Sequence, residues 1–305
     1  MKMHILLALF LFQSCYLSDN YIIGKFLISQ ANSTETIING RYASKDLIDI
    51  YLNNQKIDFS QTIVFPKAGE YTIKYDFKEK INGMDRLFHQ CDSLISLDLS
   101  HFDASNVVDM DSTFRESRNL QAVNLTNFDA SKVTYMGGLF KDCTGLISLD
   151  LSTFRTSDAL RDTRNMFESC ASIRYLNLDN FNTRNVEVMF YMFLGCKSLK
   201  TLDLSSFNTE NVSKMRYMFS DCYSLAELNI KNFNTKNVGD MRGMFSKCSA
   251  FKTLNLAHFQ ISTNTDMSYM FSGCTSLKLL ILPKIVSTMS PVNMISGTDA
   301  KVVYQ

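Results

Sequence analysis

Met218-Phe219-Ser220-Asp221-Cys222-Tyr223-Ser224-Leu225-Ala226-Glu227-Leu228-Asn229-Ile230-Lys231-Asn232-Phe233-Asn234-Thr235-Lys236-Asn237-Val238, closing at Met241-Arg242-Gly243, is the cleanest copy of a unit that recurs along most of this chain. The Phe that opens each copy returns as Phe88, Phe114, Phe140, Phe167, Phe193, Phe219, Phe245 and Phe271, at steps of 26 residues with one of 27. A fixed period in this range marks a solenoid, whose units cannot bury an apolar face alone and become stable only when stacked. In Leu94-x-x-Leu97-x-Leu99 and Leu199-x-x-Leu202-x-Leu204, alternating apolar residues signal a short strand with one buried face. One strand per coil, paired in parallel at about 4.8 Å per step, predicts a leucine-rich-repeat-like repeat solenoid. It would carry a parallel β-sheet on one face, with turns and short helical turns on the other.

After each strand comes a second aromatic column, Phe102, Phe128, Phe154, Phe181, Phe207, Phe233 and Phe259, expected to stack inside as a spine. Methionines follow in two columns, Met110 to Met267 and Met166 to Met270, three residues apart, which predicts a helical turn packed on the core. Asn106, Asn185, Asn211 and Asn237 share a corner position, where an amide can satisfy backbone groups of neighbouring coils. The 27-residue step comes from one extra residue within Arg155–Asp162, expected as a bulge away from the strands.

Cys91, Cys143, Cys170, Cys196, Cys222, Cys248 and Cys274 occupy one repeat position, which Ser117 fills in the second copy. A column of parallel side chains favours a ladder of buried, unpaired thiols. Neighbouring coils also lie within disulfide reach, so three adjacent-coil disulfides with one cysteine left over is the competing arrangement. Structural zinc needs four ligands converging on one point, which a linear column does not offer. His89 and His101 flank Cys91, the one place where a thiol and imidazoles are close in sequence. Six other cysteines fill the same role without a histidine, which argues against a catalytic pair there. No phosphate loop, paired-carboxylate spacing or G-x-S-x-G is present, so no catalytic residue, cofactor or metal is expected.

Function is therefore sought on the exposed strand face. Its central column alternates Asp98, Asn124, Asp150, Asn177, Asp203, Asn229 and Asn255, a pattern that relieves like-charge repulsion between coils. Beside it, Tyr175 with Arg174, Asp179 and Arg184, together with Glu227, forms the most chemically varied patch and is the candidate contact site. A ligand face should hold clustered aromatics and arginines, and along the strands such clusters are sparse.

The chain of 305 residues is 46% apolar, enough for a sizeable core. Its 31 basic and 30 acidic residues are scattered and sum to +1, a balance that does not point to nucleic acid. Met1-Lys2-Met3-His4 followed by the apolar run Ile5–Phe12 reads as a secretory signal peptide over 1–18, too short to span a bilayer. Cys15 is then either a lipid-anchor site or lost beside an ordinary cleavage point. Residues 19–83 do not follow the repeat and alternate in short runs, as in Glu70–Phe77, which predicts a small β domain or cap. The repeats fill 84–297, their decayed end forming a C-terminal cap, and 298–305 is a tail. Asn32-Ser33-Thr34, outside the repeats, is the sequon best placed for a glycan.

Leu202-Asp203-Leu204-Ser205-Ser206-Phe207-Asn208-Thr209-Glu210-Asn211-Val212 followed by Met218-Phe219-x-x-Cys222 closely resembles the BspA-type leucine-rich repeat surface proteins, over about 84–297. The resemblance implies a secreted or cell-surface, adhesion-type module without catalytic activity, whose partner is a protein on a host or neighbouring cell. A structural spacer or variable coat protein without a specific ligand is the alternative.

Overall fold

The computed structural model describes residues 20–289 and 291–305, so the expected signal peptide and Cys15 lie outside the described residues. Six strands precede the first coil: β1 (Tyr21–Ile28), β2 (Ser33–Thr36), β3 (Ile48–Leu52), β4 (Gln55–Ile57), β5 (Thr62–Phe65) and β6 (Gly69–Phe77). Strands β3 and β4 form a hairpin whose turn residues, Asn53 and Asn54, both have positive φ (46° and 69°). That is the turn geometry matching strand twist, and asparagine tolerates it well. Strand β6 pairs with β3 and β1, and β2 with β5.

The coils contribute β7 (Leu94–Asp98), β8 (Ala122–Asn124), β9 (Ser148–Asp150), β10 (Tyr175–Asn177), β11 (Thr201–Asp203), β12 (Glu227–Asn229), β13 (Thr253–Asn255) and β14 (Leu279–Leu282). They form a β-solenoid of about eight turns, with neighbours such as β9/β10, β11/β12 and β13/β14 paired in parallel. Strand β1 sits between β6 and β7 and pairs antiparallel with β7, so the N-terminal strands extend the solenoid sheet in the order β4-β3-β6-β1-β7-β8. Gly24 is needed at that junction: a Cβ there would lie 2.9 Å from the Phe26 ring and 3.2 Å from Leu94. At the far end, after a 3₁₀ segment over Lys284–Thr288, residues 301–304 add β15 (Lys301–Tyr304), parallel to β14. The segment 298–305, expected as a tail, thus carries one more rung.

The interior is aromatic throughout. Consecutive members of the first Phe column stack at 5.5 Å between Phe193, Phe219 and Phe245, with ring planes within 8° of parallel. The second column stacks from Phe102 to Phe154 and from Phe181 to Phe207. Tyr75 and Phe77 of β6 extend both columns edge-on, to Phe88 and Phe102. The methionine columns are buried with them.

The helical turn expected at the methionines is absent. Each coil instead makes consecutive tight turns, as in Met218 N–H to Met215 O and Ser220 N–H to Tyr217 O. The intervening donors run along the axis, Met215 N–H to Asp240 O, Tyr217 N–H to Arg242 O and Phe219 N–H to Met244 O. In a helix each N–H beyond the first turn would bond locally, to the carbonyl four residues earlier. Every second N–H turns instead towards the next coil, with a left-handed residue at every fourth position. The left-handed positions recur in two columns, Ser112, Gly138, Asn165, Tyr191, Tyr217, Gly243 and Tyr269, then Glu116, Asp142, Ser169, Gly195, Asp221, Lys247 and Gly273. The extra residue of the third coil is taken up by a turn at Ser157–Leu160, and the bridge column resumes at Asp162.

Candidate binding surface

All seven repeat cysteines are buried and unpaired. From Cys143 onward each Sγ donates to the opening Phe carbonyl of the preceding coil, as in Cys143 to Phe114 at 3.0 Å and Cys222 to Phe193 at 3.1 Å. Ser117 shows what the position requires: its hydroxyl donates to the Phe88 carbonyl and accepts the Cys91 N–H. Burial pushes the thiols up, Cys222 to about 12 and Cys274 to about 11. The thiolate that a nucleophile or metal ligand requires is thereby suppressed. Cys91 faces the His89 carbonyl rather than its ring, while burial lowers the His89 imidazole. The native protein is expected to leave all seven repeat thiols unmodified by iodoacetamide at pH 8 and to expose all seven in denaturant. Peptide mass spectrometry checks this, and one reactive thiol in the folded protein would contradict it.

Corner and strand-exit residues carry backbone work. Thr209 Oγ1 donates to Asn234 O at 2.9 Å and accepts Asn234 N–H at 2.8 Å, repeated at Thr183 and Thr235. Asn185, Asn211 and Asn237 reach back to the preceding coil's carbonyls at Asp158, Arg184 and Glu210. In the Asp/Asn column, Asp203 Oδ1 accepts the Ser205 N–H and the Asn229 amide, which holds its carboxyl below the ordinary carboxylate range. Asp98 Oδ1 likewise accepts the Ser100 N–H and the Asn124 amide. The column thus closes the turn after each strand and, at Asp98 and Asp203, ties it to the next coil.

The residues proposed from sequence as a contact patch are spread out. Arg174 and Tyr175 are adjacent and exposed at the start of β10, and Asp179 follows the same strand. Glu227 lies in the Tyr175 column two coils further on, and Arg184 lies beyond the corner, its N–H bound to Asn182. No ion pair among the described residues joins any two of them. Asn32 is exposed, in left-handed conformation just before β2.

A more concentrated surface lies on the turn side, where an open groove of about 640 Å³ crosses the later coils. Tyr191, Tyr217 and Tyr269 share one repeat position and line it, together with Leu194 and Ser220. Tyr191 and Tyr217 stack at 5.6 Å, and the Tyr217 ring lies over Gly243, where a Cβ would come within 2.2 Å of it. Arg216 stacks on Phe190 and Tyr191, at 4.9 and 5.3 Å, and its buried Nε has no hydrogen-bond acceptor among the described residues. Polar pairs border the groove, Lys141 with Glu168 at 2.8 Å and Lys247 with Asp221 at 3.2 Å. Burial works to raise the Asp221 carboxyl, but bonds from Tyr223, Ser220 and Lys247 hold it below the ordinary range. All three tyrosines sit at positive φ, 59°, 52° and 59°. That conformation costs a bulky L-residue roughly 1–2 kcal/mol, whereas Gly138 and Gly243 at the same position adopt it without strain. The 26-residue recurrence of these tyrosines was visible in the chain, yet their neighbouring methionines made the segment look like core-facing helix.

The family described as "Mycoplasma protein of unknown function, DUF285" matches residues 59–174 and 161–282. No curated protein matches. Among solved structures, a leucine-rich repeat protein from Bacteroides ovatus ATCC 8483 is similar at 16% identity, over 79% of this chain and 67% of that one, with a TM-score of 0.35.

Proposed function

This chain belongs to the DUF285 family, and we propose that it is a non-catalytic binding module, displayed outside the cell, that holds a protein partner in the turn-side tyrosine groove. The observation that carries the reading is the placement of three tyrosines in a backbone conformation that opposes them. Glycine would serve the fold better at each, and strain of this kind clusters where a surface is used. Tyrosine and arginine are also the side chains that dominate protein interfaces, and Arg216 offers a guanidinium with no carboxylate partner among the described residues. The extracellular address and adhesion-type role rest on the signal-peptide reading of 1–18 and on the likeness to BspA-type repeats. No helix among the described residues is long and apolar enough to cross a membrane.

The test is capture of extracellular and cell-surface proteins by the full chain and by a Tyr191→Asn/Tyr217→Asn variant. Asparagine accepts positive φ, so the variant is expected to unfold within about 1 kcal/mol of the parent. The captured partner should bind the variant at least about thirtyfold more weakly, from roughly 2 kcal/mol lost at a central contact. Absence of any saturable partner would favour the spacer reading instead.

A further inference from the structure

The strand side of the later coils carries a second feature, independent of the groove. The position that aligns with Ile95 of β7, and that lies just before each later strand, reads Ile95, Gln121 and Ile147 in the first three coils, then Arg174, Lys200, Ala226, Lys252 and Lys278. Backbone bonds keep the position in register: Gln121 N–H to Ile95 O, Arg174 to Ile147, Ala226 to Lys200 and Lys278 to Lys252. The four cations are exposed, and none has an ion-pair partner among the described residues. Lys301 of β15, also exposed, lies one register position over.

We propose that this cationic edge of the sheet is a docking site for an anionic polysaccharide, a linear chain bearing sulfate or uronate groups and lying along the solenoid axis. Like charges one coil apart, about 4.8 Å, repel by roughly 1 kcal/mol in water. The column therefore opposes stacking, and its neutral first half shows that the fold does not need it. A ligand with regularly spaced anions turns that repulsion into attraction over about 20 Å from Arg174 to Lys278. Little on the face competes for the cations. Glu227 is the one acid in the adjoining column over these coils, and Asp203 is committed to Ser205 and Asn229. That adjoining column is otherwise Tyr175, Thr201, Thr253 and Leu279, three of them bearing hydroxyls suited to sugars. A protein ligand would need apolar anchors, and single-stranded nucleic acid a series of stacking rings. Tyr175 is the one exposed ring in the column.

Binding of the full chain to heparin and to hyaluronan, at about physiological salt, tests the proposal, with oligothymidine as the nucleic-acid comparator. The wild type is expected to bind heparin, hyaluronan or both, the pair distinguishing sulfate from uronate recognition. Lys200→Glu/Lys252→Glu/Lys278→Glu should lose at least about tenfold in affinity, while the charge-matched control Lys214→Glu/Lys231→Glu/Lys236→Glu keeps it. The Tyr191→Asn/Tyr217→Asn variant should bind the glycan like the parent, separating this site from the groove. No glycan binding, equal loss in both lysine variants, or tighter binding of oligothymidine would each overturn the proposal.

Discussion

Replacing Phe219 with alanine is expected to lower the unfolding free energy by about 3–5 kcal/mol. Its ring is fully buried between Phe193 and Phe245, 5.5 Å from each and nearly parallel to both. Removing it opens a void that stacked coils of fixed spacing cannot collapse to fill, and it takes contacts from two neighbours at once. Stability in a stacked array is close to a sum of unit and interface terms. The loss should therefore appear as earlier unfolding of the coils around 193–271. Denaturant titration followed by hydrogen exchange measures this, with Phe219→Leu, which leaves a smaller void, expected to cost less than the alanine variant. Tyr175→Ala, on the exposed strand face, should stay within about 0.5 kcal/mol. Equal effects at Phe219 and Tyr175 would refute the stacked-spine account.

A chain beginning at residue 84 is expected to lose the first coil and to aggregate. Strand β1 lies between β6 and β7, and bonds such as Leu27 N–H to Ser93 O and Tyr21 N–H to His101 O tie it to the solenoid. Ile22, Phe26, Ile73 and Tyr75 are all fully buried, each contributing about 1.5–3 kcal/mol through burial. Without them Phe88, Leu94 and Leu97 face water, and β7 presents an open apolar edge, the usual template for intermolecular pairing. Size-exclusion chromatography and amide exchange of 94–98 check the prediction against the full chain. A monomeric truncated protein with native protection in β7 would show that 20–83 is an independent domain rather than a cap.

The period, the short strands and the two phenylalanine columns were legible because each is a local pattern repeated many times. A register error in one copy is corrected by the next. The methionine segment was misjudged for a physical reason: i, i+3 spacing suits a helix and equally suits two consecutive turns. Only the inter-coil bonds from Met215, Tyr217 and Phe219 to the following coil distinguish them. The groove was hidden by the same ambiguity, since Tyr191 and Tyr217 meet only when their coils stack at left-handed positions. The roles of Thr209, Asn211 and Asp203 were likewise set by partners about one coil away in sequence.

Chain order alone thus established the repeat, its core and its strand face, since periodic burial of apolar side chains is written into residue spacing. The union of the N-terminal strands with the first coil, the turn geometry and the tyrosine groove were settled by stacking. Backbone hydrogen bonds between coils choose among conformations that the spacing of side chains leaves equally open.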